Sequence, residues 1–168
     1  MFLYKKIPLN WILLFLFFSA GFALIFAYIS QYIFDYQPCI LCLYQRKPFF
    51  VALALSLMSI AFFKDKKSQI AVIYLCLFVL AINSLIASYH VAVEQKLFKG
   101  PSTCSASSNL NEIEDLQELE VALLSAKSVK CSEPQFFLLG LSMAAWNIIY
   151  CLFLISAVLF LLSLRRRF

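Results

Sequence analysis

Four cysteines in this chain occupy positions from which they could carry out thiol–disulfide chemistry. Cys39 and Cys42 form a Cys-x-x-Cys pair, and Cys104 and Cys131 flank a polar segment further along the chain. Two dithiol pairs that lie close together can pass electrons by disulfide exchange. A Cys-x-x-Cys motif alone is common, so a static disulfide or half of a zinc site remains an alternative for the first pair.

Arg46 and His90 are the residues most able to assist the first pair. If a helix begins near Pro38, then Cys39, Cys42 and Arg46 fall on one stripe of it. A thiolate at a helix N-terminus beside a guanidinium should have a pKa below the usual value of about 8.5. His90, the one histidine of the chain, ends the third apolar stretch and should reach the same membrane level as Arg46. The alternatives are an interfacial anchor for Arg46 and an interfacial residue for His90.

The second pair has a structural interpretation as well as a redox one. A Cys104–Cys131 disulfide would stabilise its loop by roughly 3–4 kcal/mol through chain entropy. In an exposed polar loop, however, its sulfurs would be open to an attacking thiolate, as labile disulfides require. A zinc site would need all four sulfurs, or three and His90. The remaining cysteines, Cys76 and Cys151, are expected to be buried apolar thiols.

The elements that must position these residues are membrane helices. The chain has 168 residues, of which 63% are hydrophobic and 14% charged, whereas soluble domains are about half apolar and a quarter charged. Four apolar stretches are long enough to cross a bilayer, which takes about 20 helical residues. We predict an all-α membrane protein, a four-transmembrane-helix bundle that forms a single integral membrane domain over residues 1–168. Its predicted spans are about 11–31, 43–63, 70–90 and 146–164, with extracytoplasmic loops at about 32–42 and 91–145.

The distribution of charge predicts the orientation of the bundle. The N-terminus, the loop between the second and third spans and the C-terminus hold eight basic residues and one acidic residue. The rest of the chain holds six basic and eight acidic residues. The positive-inside rule therefore places both termini in the cytoplasm and the four cysteines outside, where disulfides persist. The formal net charge of +5 reflects this topology and gives no indication of nucleic-acid binding. The first apolar run is too long for a signal peptide, so we expect it to be retained.

Three segments outside the spans have patterns of their own. Leucine and isoleucine recur every three or four residues over 110–123 with acidic residues between them, which predicts a short amphipathic helix capped by Asn109. We expect its apolar face to lie on the membrane surface or the bundle. Residues 37–45 are predicted to form the bend and first turns of the second span. Residues 134–145 are predicted to form an interfacial approach to the fourth.

Taken together, these residues resemble the DsbB family of bacterial disulfide-generating membrane proteins. The resemblance rests on the run Pro-Cys-Ile-Leu-Cys-Leu-Tyr-Gln-Arg at 38–46, on His90, Cys104 and Cys131, and on Leu-Gly-Leu-Ser-Met-Ala-Ala-Trp at 139–146. Relatives of vitamin K epoxide reductase are also four-helix thiol proteins linked to quinone. In them the loop cysteines precede the Cys-x-x-Cys motif, whereas here that motif comes first, which favours DsbB.

The resemblance implies a relay of disulfide exchanges that serves a partner protein. A reduced periplasmic thioredoxin-fold oxidant of the DsbA type would attack a Cys104–Cys131 disulfide at Cys104. The freed Cys131 would exchange with Cys39, and Cys42 would become the thiolate that faces a quinone. The alternative function is a non-enzymatic tetraspan membrane protein whose loop disulfides are structural.

The resemblance also implies a quinone site in the bacterial inner membrane. Arg46, His90 and Met143 would belong to that site, and electrons would pass to the ubiquinone or menaquinone of the membrane pool. No metal takes part in this expected chemistry. Two residues differ from the commonest family pattern: Gln45 replaces an acidic residue, and Ala144 replaces a proline.

Overall fold

The architecture is a bundle of membrane helices. A computed structural model of the chain describes residues 8–101, 131–132 and 136–167. Within these ranges four helices are long and apolar enough to cross a bilayer, which confirms the predicted all-α bundle and makes the chain a multi-pass membrane protein. They are α1 (Leu9–Tyr32), α2 (Ile40–Phe62), α3 (Lys66–Glu94) and α4 (Met143–Arg167). The predicted amphipathic helix at 110–123 and Cys104 lie outside the described residues.

The helices pack in chain order, α1 against α2, α2 against α3 and α3 against α4. Their shared core is made of medium-sized apolar side chains that are almost completely buried, including Ile12, Leu16, Ile73, Leu80, Leu154 and Val158. Large aromatic side chains such as Phe18, Phe78 and Phe153 point outward. In a lipid environment this arrangement is stable because the outer aromatics contact acyl chains, while van der Waals packing holds the interior.

α3 begins and ends at charged residues, Lys66 and Glu94, that lie beyond the predicted span of 70–90. α3 begins at Lys66, four residues before the predicted span, because the Asp65 carboxylate caps its N-terminus. The Oδ2 atom of Asp65 accepts the backbone N–H of Ser68 at 2.8 Å, and this contact with an otherwise unpaired N–H lowers the pKa of Asp65. Apolar length alone therefore underestimates α3, since it does not include the capped N-terminus.

A small β-hairpin precedes α4, where the sequence predicted only an interfacial approach. Its strands, β1 (Phe137–Leu138) and β2 (Leu141–Ser142), pair antiparallel. Leu139 and Gly140 form the turn with φ of 54° and 79°. Positive φ at both central turn residues is typical of a tight two-residue hairpin loop, and glycine adopts it without steric cost.

The hairpin fixes where α4 begins. The hydroxyl of Ser142 accepts the backbone N–H of Ala145 at 3.3 Å, so the helix starts at Met143 rather than at the predicted Trp146. The indole N–H of Trp146 donates to the carbonyl of Leu138 at 3.0 Å. The hairpin is thus bound to the first turn of α4.

Candidate active site

The first cysteine pair lies at the N-terminus of α2. Pro38 precedes the helix, and Cys39 occupies the capping position with an extended backbone. Its Sγ accepts the backbone N–H of Cys42 at 3.3 Å and lies 2.9 Å from the Sγ of Cys42. Both cysteines are free thiols in this structure. The Cys-x-x-Cys spacing therefore places its first sulfur against the positive end of a helix.

His90 lies beside this pair, at the level predicted for it. Its Nε2 is 3.5 Å from the Sγ of Cys39 and 3.6 Å from Oε1 of Glu94, one turn further along α3. The ring is only 3% exposed. α3 thus brings an imidazole into contact with the capping sulfur of α2.

These contacts favour the thiolate form of Cys39. The hydrogen bond between the two sulfurs, 2.9 Å apart, holds the pKa of Cys39 well below its usual range. Burial opposes this effect, while the His90 ring and the backbone N–H of Cys42 add to it. In the reduced pair these contacts therefore favour ionisation at Cys39, whereas the resemblance implies a thiolate at Cys42.

Arg46 lies two turns into α2, and its guanidinium is directed toward α1. Nη1 donates to Oε1 of Gln31 at 2.6 Å, and Nη2 donates to the carbonyl of Ala27 at 3.3 Å. The guanidinium also lies over the ring of Tyr28, 5.0 Å from its centroid. The predicted stripe is present, since Arg46 and Cys42 line one cavity. The spacing of residues along α2 does not predict the contacts that the Arg46 guanidinium makes with α1.

Cys131 lies next to the first cysteine pair. It is disulfide-bonded and packs in a buried cluster with Cys39, Leu41 and Val93. The sequence predicted that both loop sulfurs would be open to an attacking thiolate, and for Cys131 this is wrong, because its side chain is only 2% exposed. Cys131 therefore packs at the N-terminus of α2, where its sulfur fills the cluster.

A cavity of about 360 Å³ opens beside the cysteines, which is within the usual range for small-molecule sites. Its wall is mainly apolar and aromatic, with a few convergent polar groups. Met143 contributes to this wall, and so do Cys39, Cys42, Arg46, His90 and Cys131. The cavity suits a flat apolar ligand that carries hydrogen-bond acceptors.

The thiols and the imidazole also form a potential metal-ligand set. The donor atoms of Cys39, Cys42 and His90 all lie within 4.8 Å of one another. A closed structural zinc site uses four such ligands. This set, taken from the described residues, is therefore one ligand short of the zinc alternative.

Two polar residues, Gln45 and Asn147, are hydrogen-bonded to the site, and the sequence pattern did not predict these contacts. Gln45 is 7% exposed, and its Nε2 lies 2.8 Å from Nδ1 of His90. Its carbonyl oxygen accepts from Nδ2 of Asn147 on α4 at 2.7 Å. The Oδ1 of Asn147 in turn accepts from Nδ2 of Asn83 on α3 at 3.4 Å. The signal was the presence of polar amides in apolar spans, where such groups need partners.

The two remaining cysteines are buried as predicted. Cys76 and Cys151 are both 0% exposed. Cys76 contacts the hydroxyl of Ser56 at 3.9 Å, and Cys151 accepts from Nδ2 of Asn83 at 3.4 Å. Neither sulfur lines the cavity.

Comparison with known proteins gives a family match over most of the chain. The sequence model of the family described as disulfide bond formation protein DsbB matches residues 9–161. An uncharacterized protein of Rickettsia prowazekii (strain Madrid E), RP370, is 28% identical over 127 residues, which cover 76% of this chain and 72% of the relative. The family match includes the described cysteines and all of α1, α2 and α3.

Proposed function

The chain belongs to the DsbB family of disulfide bond formation proteins, and on that premise we propose that it is a protein-disulfide:quinone oxidoreductase. It reoxidises a periplasmic thioredoxin-fold oxidant of the DsbA type and passes the electrons to ubiquinone or menaquinone. The protein acts in the bacterial inner membrane with both termini in the cytoplasm. The observation that carries the proposal is the single cavity whose wall contains Cys39, Cys42, Cys131 and Arg46.

The first step is an exchange with the partner at the loop pair. A partner thiolate attacks Cys104 of the Cys104–Cys131 disulfide and forms a mixed disulfide, and Cys131 leaves as a thiolate. The second partner thiol then displaces Cys104, so the partner departs oxidised and the loop pair is reduced. The burial of Cys131 supports Cys104 as the sulfur that is attacked, because an incoming protein cannot reach Cys131.

The second step moves the electrons inward to the helix pair. The Cys131 thiolate attacks Cys39 of the Cys39–Cys42 disulfide, which forms a Cys39–Cys131 bond and releases Cys42 as a thiolate. Attack of Cys104 on Cys131 then restores the loop disulfide and releases Cys39. The shared buried cluster of Cys39 and Cys131 supports this exchange, since the two residues already belong to one packed group.

In the third step the helix pair is reoxidised at the cavity. A quinone bound there supplies a two-electron, two-proton sink for the dithiol. Cys39 and Cys42 give up two electrons and two protons and again form their disulfide. Within the part of the chain that the structure describes, Arg46 uses two of its five N–H donors on α1, and another donor would orient a quinone carbonyl. The aromatic wall, including Phe26 and Phe49, keeps water from the reacting sulfurs.

A strong electron sink is needed because of the redox properties of the partner. A DsbA-like oxidant has a potential near −120 mV, so its reoxidation by a more reducing dithiol is uphill by about 1.4 kcal/mol for every 30 mV. A lipid-soluble quinone that removes the electrons drives the relay forward. This accounts for a dithiol at the end of a membrane helix beside an apolar cavity.

The proposal is tested with purified protein, a short-chain quinone and a reduced thioredoxin-fold partner. We expect the partner to become oxidised while the quinone absorbance decreases, and Cys104→Ser to abolish both changes. Cys76→Ala, which removes a buried thiol away from the cavity, is the matched control and should retain the rate. Unchanged turnover in Cys104→Ser would rule the relay out. A Cys42→Ser variant that is less stable but still oxidises the partner would favour the structural-disulfide alternative.

A further inference from the structure

A chain of hydrogen bonds runs from the membrane interior to the reactive sulfur. Asn83 donates through Nδ2 to Oδ1 of Asn147 at 3.4 Å, and Asn147 donates through Nδ2 to Oε1 of Gln45 at 2.7 Å. The Nε2 of Gln45 lies 2.8 Å from Nδ1 of His90, and the Nε2 of His90 lies 3.5 Å from the Sγ of Cys39. This series of hydrogen bonds therefore passes from α3 to α4, then to α2, and returns to α3 at His90 before it reaches the dithiol.

These hydrogen bonds all run in one direction, from donor to acceptor toward Cys39, because an amide nitrogen can only donate and an amide oxygen can only accept. Gln45 presents its nitrogen to Nδ1 of His90, so Nδ1 must be the acceptor. In a neutral imidazole the proton then lies on Nε2. Nε2 faces the Sγ of Cys39 and Oε1 of Glu94, and both of these atoms accept.

The orientation of Asn147 determines that of Gln45. The carbonyl oxygen of Asn147 receives the amide of Asn83 and the thiol of Cys151, at 3.4 Å and 3.5 Å. Asn83 is completely buried, so reversing Asn147 alone would set its amide nitrogen against the nitrogen of Asn83 in an apolar surrounding. The Oδ1 of Asn83 has no hydrogen-bond partner within the described part of the chain, which makes this residue the start of the sequence of donors.

We propose that Gln45 and Asn147 are positioning residues that hold His90 in the tautomer whose Nε2–H donates to Cys39. A hydrogen bond to an ionised sulfur is stronger than one between neutral groups, and aligned donors polarise one another. The use assigned to this bond rests on the proposed function, because it takes Cys39 to be the sulfur that exchanges.

Labelling with ¹⁵N-histidine tests the tautomer directly, because His90 is the one histidine in the chain. In the reduced protein we expect one bare and one protonated ring nitrogen, with the proton on Nε2. In Gln45→Met and Asn147→Leu the single tautomer should be lost, and both nitrogens should move to averaged shifts. Asn10→Leu is the matched control, since it removes an amide pair with Gln69 of 2.8 Å at the opposite end of the bundle.

A second readout follows the sulfur itself. With Cys104 and Cys131 replaced by serine, the thiolate absorbance near 240 nm is titrated against pH. The groups that face Cys39 are Cys42 on α2 and His90, with Glu94 beyond it, on α3. We expect the acid dissociation constant of the Cys39 thiol to be about tenfold lower in the Gln45→Met and Asn147→Leu versions of this protein. In its Asn10→Leu version the constant should be unchanged.

The result that would overturn the inference is an unaltered His90 tautomer in both Gln45→Met and Asn147→Leu. An equal change in Asn10→Leu would also overturn it, because that would show a general loosening of the bundle. Neither readout needs a quinone or a partner. Failure of the proposed electron transfer is therefore distinguishable from failure of this inference.

Discussion

At the scale of single residues, the charge on Cys39 controls how strongly the helix pair oxidises. Its pKa is lowered by the Cys42 thiol, by His90 and by the backbone N–H of Cys42. A lowered thiol pKa stabilises the reduced form, which makes the disulfide the stronger oxidant. This stabilisation is complete above the ordinary thiol pKa of about 8.5 and is lost as the pH falls through the lowered pKa of Cys39.

Removing the imidazole should therefore make the pair a weaker oxidant. His90→Phe deletes a donor to the thiolate of Cys39, and we expect the potential of the Cys39–Cys42 couple to become more negative by about 30–60 mV. The measurement is equilibration with a thiol redox buffer near pH 8, in protein whose loop cysteines are serine. Ser88→Ala, an exposed position on the same helix, is the control. An unchanged or less negative potential would contradict the prediction.

Arg46 acts through its position, and that position depends on α1. We expect Arg46→Ala to raise the apparent KM for quinone about tenfold with a smaller effect on kcat, as loss of one charged hydrogen bond would. Gln31→Met should raise KM less, because it frees the guanidinium from its 2.6 Å contact without removing it. Lys47→Ala, which changes an exposed base over the ring of Tyr44, should have no effect. The measurement is steady-state kinetics at varied quinone concentration. If Arg46→Ala changed only the affinity for the partner protein, Arg46 would not belong to the quinone site.

At the scale of elements, the sulfur that caps α2 is also the one that exchanges disulfides in the proposed relay. Cys39→Ser should keep the cap to the N–H of Cys42, since serine is among the best N-cap residues, whereas Cys39→Ala should lose it. We expect both variants to be inactive, with the alanine variant less stable by about 1 kcal/mol. The measurement is the free energy of unfolding in detergent for the two proteins side by side. Equal stabilities would show that the cap contributes little.

The sequence predicts the helices better than it predicts how their side chains meet. Long apolar runs locate all four spans, because nothing else crosses a bilayer so simply. The hairpin before α4 was missed, because its two-residue strands are too short to show an alternating pattern. Its turn also requires positive φ at Leu139 as well as at Gly140, and leucine gives no such signal.

The candidate site likewise has features that the sequence predicts and contacts that it does not predict. The spacing of Cys39, Cys42 and Arg46 on one helix could be predicted from local periodicity. The contacts of Arg46 with α1 and of Gln45 with α4 could not, because they depend on the rotation of neighbouring helices about their axes. Such rotations are set by packing across the whole bundle rather than by any local pattern.

At the scale of the whole molecule, the two ends of the bundle differ in chemistry. One end holds the cavity, the dithiol and Cys131, while the loop at the other end carries Lys64, Lys66 and Lys67. Positive charge of this kind favours the cytoplasmic side, so the dithiol should open to the oxidising compartment. The function we propose requires this orientation, because a reducing cytosol would keep the sulfurs as thiols.

Labelling from one side of the membrane measures that orientation. In protein whose four redox cysteines are serine, we expect a membrane-impermeant maleimide to modify Lys99→Cys in spheroplasts. The same reagent should modify Lys67→Cys only after the membrane is permeabilised. Both positions are exposed, so the reagent reaches each equally once the barrier is removed, and the permeabilised samples serve as controls. The reverse pattern would place the dithiol in the cytoplasm, where the loop disulfide could not persist as an oxidant for a partner. Because the charge on the α2–α3 loop is the main determinant, replacing its three lysines by glutamate should weaken or invert the labelling pattern without altering the core between the helices.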